Sequence, residues 1–279
     1  MSIFDTTSVF CIDFDGTLVT DTLIPGSLEF ISKALSLNKK IFYVTNNSTL
    51  SQQQYCDKIL SFGLSCTPHQ VRTSSMMTLE YLKLKYPAKS HILVVGQSGL
   101  ITTLQSYFQV TEAYKGEWQD LREIVHKGPQ FVALIVGLKR DVTFTELAHA
   151  SIVLENKAVE FIATNTDSTF PSSWTNTMPG AGTLVSFIST SSGREPEIMG
   201  KPDPRILFSI ASEEQIELSS VAMIGDRLDT DIAAGKAAGC LTVLVTATGV
   251  TTADDVAGLN DEEMPDVVVP SIAELVSML

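Results

Sequence analysis

Two carboxylates, Asp13 and Asp15, follow a short apolar run near the start of the chain. Residues two apart on an extended backbone point to the same side, so both carboxylates would lie together at the open end of a buried strand. Gly16 then allows the backbone to turn and to approach a ligand closely. Because neighbouring carboxylates repel each other, this pair requires a cation, a division of proton-transfer roles, or both.

Further polar side chains follow predicted strands or begin predicted helices later in the chain. These side chains are Thr45, Asn46, Lys201, Asp226 and Asp231. Carboxylate oxygens suit a hard cation of the magnesium type. Small polar side chains can hydrogen-bond to phosphate oxygens, and a lysine supplies a positive charge. The set as a whole therefore indicates phosphoryl transfer.

Each of these groups also has a structural interpretation when it is taken alone. A carboxylate pair after a strand is often part of a turn, and a Thr-Asn pair often only ends a strand. A lone lysine is usually a surface residue, and acids such as Asp226 and Asp231 are favoured at helix starts by the helix dipole. Their combination in one chain favours the functional interpretation. For Asp231 the structural role stays open, and Asp229 is interpreted as a solvated helix acid.

The elements that must position these groups alternate between strands and helices. Apolar runs predict strands at Lys39–Thr45, 221–224 and 241–245, and a 3.6-residue period predicts a helix at 28–35. This alternation indicates an α/β fold with parallel strands. Ligands of such sheets bind beyond the carboxyl ends of the strands, which is where the polar groups lie.

A second α/β pattern interrupts the first one. It begins near Thr73, continues for roughly 100 residues, which is enough for a domain, and ends in the polar stretch 165–176. We therefore predict a core formed by residues 1–74 and 180–279, with residues 75–179 as an inserted domain.

The composition limits the class of protein and its partners. The chain has 279 residues, of which 44% are hydrophobic and 18% are charged, as is typical of a folded globular protein. A net charge of -13 argues against binding to nucleic acid or to an anionic membrane surface, because both attract clustered Lys and Arg. A small anionic substrate is compatible with this charge, since a bound cation and one lysine can reverse the potential locally.

Signals for export or membrane insertion are not evident in the sequence. The longest apolar runs, such as 131–136, are far shorter than the roughly 18 residues that a membrane helix needs. The N-terminus shows no basic segment followed by an apolar stretch and a cleavage site, so we expect a cytoplasmic protein. The cysteines lack metal-binding or redox spacing and are expected to be free, buried thiols. They are Cys11, Cys56, Cys66 and Cys240.

The order of the motifs resembles a known superfamily. DxDGT, a strand ending in Thr-Asn, a lysine at a helix start and GDxxxxD are similar to the four motifs of the haloacid dehalogenase-like (HAD) phosphohydrolases. The insertion, together with TNNS, ATNTD, PGAGT, GKPDP and GDRLDTDI, resembles the branch of 4-nitrophenylphosphatase, phosphoglycolate phosphatase and pyridoxal phosphatase. The resemblance implies a Rossmann-like core with a parallel sheet and an inserted type IIA α/β cap.

The resemblance also implies roles for individual residues in catalysis and phosphate binding. Asp13 would be the nucleophile that forms an aspartyl-phosphate. Asp15 would be the general acid for the leaving oxygen and then the base for the attacking water. Thr45 and Asn46 would hold the phosphoryl oxygens, and Lys201 would neutralise the charge that the phosphate shares with the nucleophile.

A magnesium ion is the cofactor that the resemblance implies. Asp13, the backbone carbonyl of Asp15, and Asp226 would bind it, and Asp231 would steady this arrangement. Without the cation, Asp13 and a phosphate dianion would repel each other by on the order of several kcal/mol in a partly desolvated site.

The inserted domain offers candidates for substrate selection. Asn165 and Asp167 close a predicted strand, and in the resembled branch this loop faces the active site; an Asx turn is the structural alternative. Trp174 could line the leaving-group pocket or pack between domains, and packing is favoured. Lys139 and Arg140 could meet a second anionic group, but a solvated loop is the better interpretation.

The sequence as a whole predicts a Mg²⁺-dependent phosphomonoesterase acting on a small phosphorylated metabolite, with no nucleic acid or membrane partner. A phosphomutase is one alternative, and the large insertion between the second and third motifs argues against it. A regulator that binds a phosphometabolite without turnover is the other, and the presence of both Asp13 and Asp15 argues against that. The resemblance allows a homodimer through the cap, which no stretch of the sequence establishes.

Overall fold

The structure, a computed structural model, describes residues 2–170 and 178–279. Strands and helices alternate along most of the chain. The strands are β1 (Val9–Ile12), β2 (Lys40–Thr45), β3 (Val71–Thr73), β4 (His91–Val95), β5 (Gln109–Glu112), β6 (Ala133–Val136), β7 (Glu160–Ala163), β8 (Thr169–Phe170), β9 (Met178–Pro179), β10 (Glu197–Ile198), β11 (Val221–Gly225), β12 (Leu241–Val245) and β13 (Val267–Val269).

The helices vary more in length than the strands do. They are α1 (Ser27–Ser36), α2 (Gln52–Ser61), α3 (Ser74–Lys85), α4 (Ser98–Gln105), α5 (Leu121–Lys127), α6 (Phe144–Val153), α7 (Ala181–Ser192), α8 (Arg205–Glu214), α9 (Ala233–Ala238), α10 (Ala253–Ala257) and α11 (Ile272–Met278). In the described part of the chain, no helix has both the length and the apolar character needed to cross a membrane.

The chain divides into two compact units. The first consists of Met1–Thr45, Tyr55–Arg72 and Gly200–Leu279, and the second of Asn46–Gln54 and Thr73–Met199. Each unit contains its own sheet, so the predicted α/β class with a parallel core sheet is confirmed.

The sheet of the first unit has β1 near its centre. The strand order is β13-β12-β11-β1-β2-β3, and β1 pairs in parallel with both β11 and β2. In this register Ile12 is opposite Ile224 and opposite Tyr43. Because parallel strands end at the same edge, the residues that follow β1, β2 and β11 emerge close together.

Aromatic packing fixes the central strand on its helices. Phe10 is fully buried, and its ring packs edge-on against Phe4 and Phe30, each at a centroid distance of 5.2 Å. Phe30 lies on α1, whose buried positions recur at helical spacing. Such rings bury large apolar areas, which holds β1 firmly in the core.

The second unit has a separate parallel sheet in the order β10-β7-β6-β4-β5. Its core includes Leu134, Phe161 and residues of α6 and α7. Neither β5 nor α5 was predicted from the sequence. Strand β5 is half-exposed or exposed along its length, so it lacks the apolar run that marks a buried strand.

The boundary at which the first unit resumes was expected between residues 179 and 180, but it lies between residues 199 and 200. Helix α7 buries Val185 and Ile188 in the core of the second unit, and β10 pairs with β7 of the same unit. Residues 180–199 therefore belong with the second unit, and the first unit resumes at Gly200. An apolar helix alone does not reveal which of two adjacent cores will bury it.

The cysteines are all free. Cys11, Cys56 and Cys240 are buried, as expected, whereas Cys66 is half-buried. The expectation of buried thiols is therefore wrong for Cys66.

Candidate active site

The turn after β1 is built around a glycine. Gly16 has a φ of +99°, and its backbone N–H donates to the carbonyl of Val19 at 2.7 Å. A β-carbon at this position would overlap the carboxylate of Asp226, with the Asp226 Cγ at 2.9 Å. Glycine is therefore required here both for the left-handed backbone and for the close approach of a carboxylate.

Lys201 joins two buried carboxylates of the first unit. Its Nζ donates to Asp13 Oδ1 and to Asp231 Oδ1, both at 2.6 Å, and to the carbonyl of Val44 at 3.2 Å. Burial alone would lower the pKa of Lys201, but the charges of Asp13 and Asp231 outweigh burial and raise the pKa above its ordinary value. The lysine is thus a fixed cation directly beside the predicted nucleophile.

Three carboxylates crowd the same place. Oxygen atoms of Asp13, Asp226 and Asp231 all lie within 4.8 Å of one another, and all three residues are buried. Burial raises the pKa of Asp13 well above its ordinary value, and Lys201 only partly opposes this. Burial and then the charge of Asp231 raise the pKa of Asp226 to about 7. A divalent cation among these oxygens would relieve the repulsion that the single lysine leaves.

Threonine hydroxyls hold Asp226 in place. Thr248 Oγ1 donates to Asp226 Oδ2 at 3.2 Å, Thr17 Oγ1 donates to Oδ1 at 3.5 Å, and Thr251 Oγ1 donates to the backbone carbonyl at 2.7 Å. Thr248 and Thr251 are site residues that were not predicted from the sequence. Their only signal is a threonine-rich loop directly after β12, where ligands of parallel sheets bind.

Asp231 uses both of its oxygens within the first unit. Oδ1 accepts from Lys201, and Oδ2 accepts from the backbone N–H of Arg227 at 3.1 Å. It lies in the short π-helix Leu228–Ile232. Asp229, in the same turn, is exposed and pairs with Arg227 at 2.7 Å, which confirms its interpretation as a solvated acid.

Asp15 has different partners from Asp13. The hydroxyl of Tyr55 donates to Asp15 Oδ2, and Lys58 Nζ donates to Asp15 Oδ1 at 2.6 Å. Burial and the charge of Asp15 raise the pKa of Tyr55 well above its ordinary value, so the hydroxyl stays protonated. Sequence reasoning missed Tyr55 and Lys58, although their spacing of three residues places them on one face of α2.

Thr45 is the last residue of β2 and is buried. Its Oγ1 lies 3.3 Å from the hydroxyl of Tyr55. The first unit therefore brings together six of the residues predicted from the sequence. These are Asp13, Asp15, Thr45, Lys201, Asp226 and Asp231.

The other predicted site residues meet in the second unit. Asn46 Nδ2 donates to both carboxylate oxygens of Asp167, at 3.1 and 3.3 Å. Asn165 Nδ2 donates to the backbone carbonyl of Asn46 at 2.8 Å, and Asn165 Oδ1 accepts from the Asp167 backbone N–H at 3.1 Å. The last contact is the Asx turn that the sequence analysis gave as the structural alternative.

Other residues of the inserted segment differ from expectation. Lys139 was predicted to lie in a solvated loop, but it is buried and pairs with Glu146 at 2.6 Å. The prediction is wrong because the capping residue of α6 fixes a carboxylate next to the lysine. Arg140 is exposed and lies over the ring of Phe170, with its Cζ 5.3 Å from the ring centroid. Trp174 lies outside the described residues.

Comparison with known proteins identifies the family. A family model described as haloacid dehalogenase-like hydrolase matches residues 10–107, and a second one, HAD-hydrolase-like, matches residues 198–275. Phosphoglycolate phosphatase 2 of Arabidopsis thaliana is 31% identical over 288 residues, which span 100% of this chain and 95% of that protein. The chain belongs to the haloacid dehalogenase-like hydrolase family.

Two further relatives of this HAD-like hydrolase are phosphatases. The acid sugar phosphatase of Staphylococcus aureus is 35% identical over 253 residues, which are 90% of each chain. The crystal structure of 4-nitrophenylphosphatase from Thermotoga maritima matches with a TM-score of 0.84 and 30% identity, covering 99% of each chain. The predicted resemblance is confirmed, and the protein is a HAD-type phosphoric monoester hydrolase.

Proposed function

We propose that this HAD-like hydrolase releases phosphate from a small phosphorylated metabolite through an aspartyl-phosphate on Asp13, with Asp15 as general acid and base. One observation carries the proposal. Asp13 is held by Lys201 in a cluster of carboxylates, whereas Asp15, two residues away, is held by Tyr55 and Lys58. Two carboxylates in such different surroundings are suited to different roles.

In the first step, an oxygen of Asp13 forms a bond to phosphorus while the bond from phosphorus to the ester oxygen breaks. Asp15 in its acid form gives a proton to the departing oxygen. In the second step, Asp15 takes a proton from water as the water oxygen attacks phosphorus. The aspartyl-phosphate bond breaks, and inorganic phosphate and the carboxylate of Asp13 are restored.

Phosphate binding in this proposal uses groups that stand next to Asp13. Lys201 supplies a fixed positive charge, and the hydroxyl of Thr45 can donate to a phosphoryl oxygen. Asn46 stays a predicted phosphate ligand, and its side-chain amide is bonded to Asp167 in the second unit. We also propose that Asn165 and Asp167 contribute to the choice of substrate.

The residues present fit a magnesium ion. The carboxylate oxygens of the cluster are hard ligands within 4.8 Å of one another, and position 16 has no side chain that would fill the space beside Asp226. Asp13, Asp226 and the backbone carbonyl of Asp15 would hold the ion, and Asp231 would steady Lys201 beside them. When bound, the ion would offset the repulsion between Asp13 and the phosphate dianion.

The test is release of inorganic phosphate from a broad panel of phosphomonoesters in Mg²⁺. Wild-type protein should release one phosphate per substrate consumed, and Asp13→Asn should lower turnover by on the order of 10³-fold or more. Asp229→Asn, which changes an exposed acid in a neighbouring turn, is the matched control and should retain activity. Near-normal turnover by Asp13→Asn contradicts the nucleophile assignment, and substrate loss without free phosphate indicates a phosphomutase.

A further inference from the structure

Helix α2 presents two donors to one carboxylate. The hydroxyl of Tyr55 binds Asp15 Oδ2, and the ammonium group of Lys58 binds Asp15 Oδ1 at 2.6 Å. Each oxygen thus has its own donor, and two separate hydrogen bonds fix the plane of the carboxyl group as well as its position.

The donors are themselves fixed by the core. Tyr55 is fully buried, and its ring packs edge-on against Phe14 at a centroid distance of 5.6 Å. Lys58 Nζ lies 5.2 Å from the ring centroids of both Phe14 and Tyr55. Phe14 lies between Asp13 and Asp15 in the sequence. The ring that both donors contact therefore belongs to the same turn as the Asp15 carboxylate.

The contacts of Asp15 with Tyr55 and Lys58 differ from an ordinary surface ion pair. Such pairs contribute little to stability, and they do not require a buried tyrosine. The Tyr55 hydroxyl also lies 3.3 Å from Thr45 Oγ1, the proposed phosphate ligand. One hydroxyl therefore contacts both the proposed acid and a group that would hold the phosphate.

We propose that Tyr55 and Lys58 are positioning residues that aim the Asp15 carboxyl group at the leaving-group oxygen. The inference rests on the proposed acid role of Asp15. It extends the site to α2, which none of the motifs in the sequence analysis includes. Neither residue would touch the reacting atoms; both would act through Asp15.

The leaving group distinguishes positioning from simple stabilisation. A general acid matters most when the departing oxygen is strongly basic, because that oxygen cannot leave without a proton. Phenolate is such a group, whereas 4-nitrophenolate is stabilised by its nitro group and can leave unprotonated. A misplaced Asp15 should therefore slow hydrolysis of phenyl phosphate much more than that of 4-nitrophenyl phosphate.

The experiment measures kcat/KM for phenyl phosphate and 4-nitrophenyl phosphate with Tyr55→Phe and Lys58→Met. This quantity reports the step in which the leaving group departs, and it excludes the later attack by water, in which Asp15 acts as base for either substrate. Each variant should lose about tenfold or more on phenyl phosphate and about twofold or less on 4-nitrophenyl phosphate, where protonation matters little. The result is the ratio of the two rates on one protein sample, so a partly unfolded preparation does not change it. Asp15→Asn serves as the reference and should show the same selectivity more strongly.

Matched controls test for unspecific effects. The ring of Tyr43 also packs on Phe14, but its hydroxyl donates to the carbonyl of Ser65, so Tyr43→Phe removes a hydroxyl that does not contact Asp15. Lys236→Met breaks an ion pair with Asp266 that is exposed to a similar degree. Both should leave the ratio unchanged.

The outcomes separate this inference from the proposed function. An equal loss on both substrates, or a gain in activity, with Tyr55→Phe and Lys58→Met overturns the inference while a selective Asp15→Asn upholds the acid role. If Asp15→Asn itself shows no selectivity, the acid role fails and the inference fails with it.

Discussion

A β-carbon at position 16 would lie 2.9 Å from the carboxyl carbon of Asp226, so Gly16 and Asp226 fit together only because one of them lacks a side chain. Gly16 belongs to the turn after β1, and Asp226 follows β11 in the same sheet. The turn that carries Asp15 therefore also determines the position of Asp226, a proposed metal ligand.

Gly16→Ala should displace Asp226 and lower kcat/KM by about 10²-fold, because a shift of about 1 Å in a catalytic group has an effect of this size. The measurement is turnover of 4-nitrophenyl phosphate across a range of Mg²⁺ concentrations, where the variant should also need more Mg²⁺. Gly63→Ala is the control, since Gly63 also has a positive φ, of +82°, but has nothing within 4 Å of an added β-carbon. Equal losses in both variants would show that backbone strain, and not the clash, is responsible.

Mg²⁺ should stabilise the folded protein even without substrate. A ligand that binds only the native state raises stability by about 2.7 kcal/mol at 100 times its dissociation constant. Thermal unfolding in EDTA and in Mg²⁺ measures this directly. Asp226→Asn should remove most of the shift, and Asp229→Asn, with its exposed carboxylate, should retain it. An identical melting temperature in chelator and in Mg²⁺ for the wild-type protein contradicts the proposed cofactor.

The two cap candidates should behave differently from each other. Asn165 is buried and bonds to the backbone of Asn46, so Asn165→Ala should destabilise the protein by about 1–3 kcal/mol. Asp167→Ala removes the hydrogen bonds from the Asn46 amide to the Asp167 carboxylate and should change the ratio of kcat/KM between 2-phosphoglycolate and 4-nitrophenyl phosphate. Denaturant unfolding and the two rate measurements provide the comparison. If Asp167→Ala reduces both rates equally, Asp167 has a structural role only.

His149 should make the stability of the second unit depend on pH. It is buried, its Nδ1 accepts from the Tyr114 backbone N–H at 2.9 Å, and burial lowers its pKa below the ordinary value of 6.5. The unfolded chain therefore binds the proton more readily, so this contribution is complete above pH 6.5 and is lost as the pH falls through the lowered pKa.

Urea unfolding between pH 4.5 and pH 8 measures this dependence. His149→Gln should flatten the curve below about pH 6.5, because the unfolded state then has one fewer group to protonate. His126→Gln, at an exposed position on α5, should leave the curve unchanged. A wild-type curve that His149→Gln does not alter would rule out His149 as the source.

Most of the site in the first unit could be predicted because its residues follow a buried strand or lie near the start of a helix. Strand β12 has the predicted bounds Leu241–Val245, and helix α1 (Ser27–Ser36) includes the predicted helix 28–35. Local patterns of this kind depend on neighbouring residues and can be found in the sequence.

The contacts that sequence reasoning missed join residues far apart in the chain. Tyr55 and Asp15 are 40 positions apart in the chain. Tyr55 contacts Asp15 only because α2 packs with that face of the helix toward the turn after β1. The buried pair of Lys139 and Glu146 has a different origin, because these residues are only 7 positions apart and the capping box of α6 holds the carboxylate. Helix α7 is apolar enough for either core, so its place depends on packing that no local pattern encodes.

The salt bridge between Asp13 and Lys201 spans 188 positions, and β1, which precedes Asp13, pairs with β11, which follows Lys201 in the chain. During synthesis, Asp13, the proposed nucleophile, leaves the ribosome long before its ammonium partner, and residues Thr73–Met199 can fold in the interval. An unfinished chain would carry Asp13 without Lys201, Asp226 or Asp231. The enzyme should therefore gain activity only late in its own translation, so that truncated products cannot act on phosphorylated metabolites.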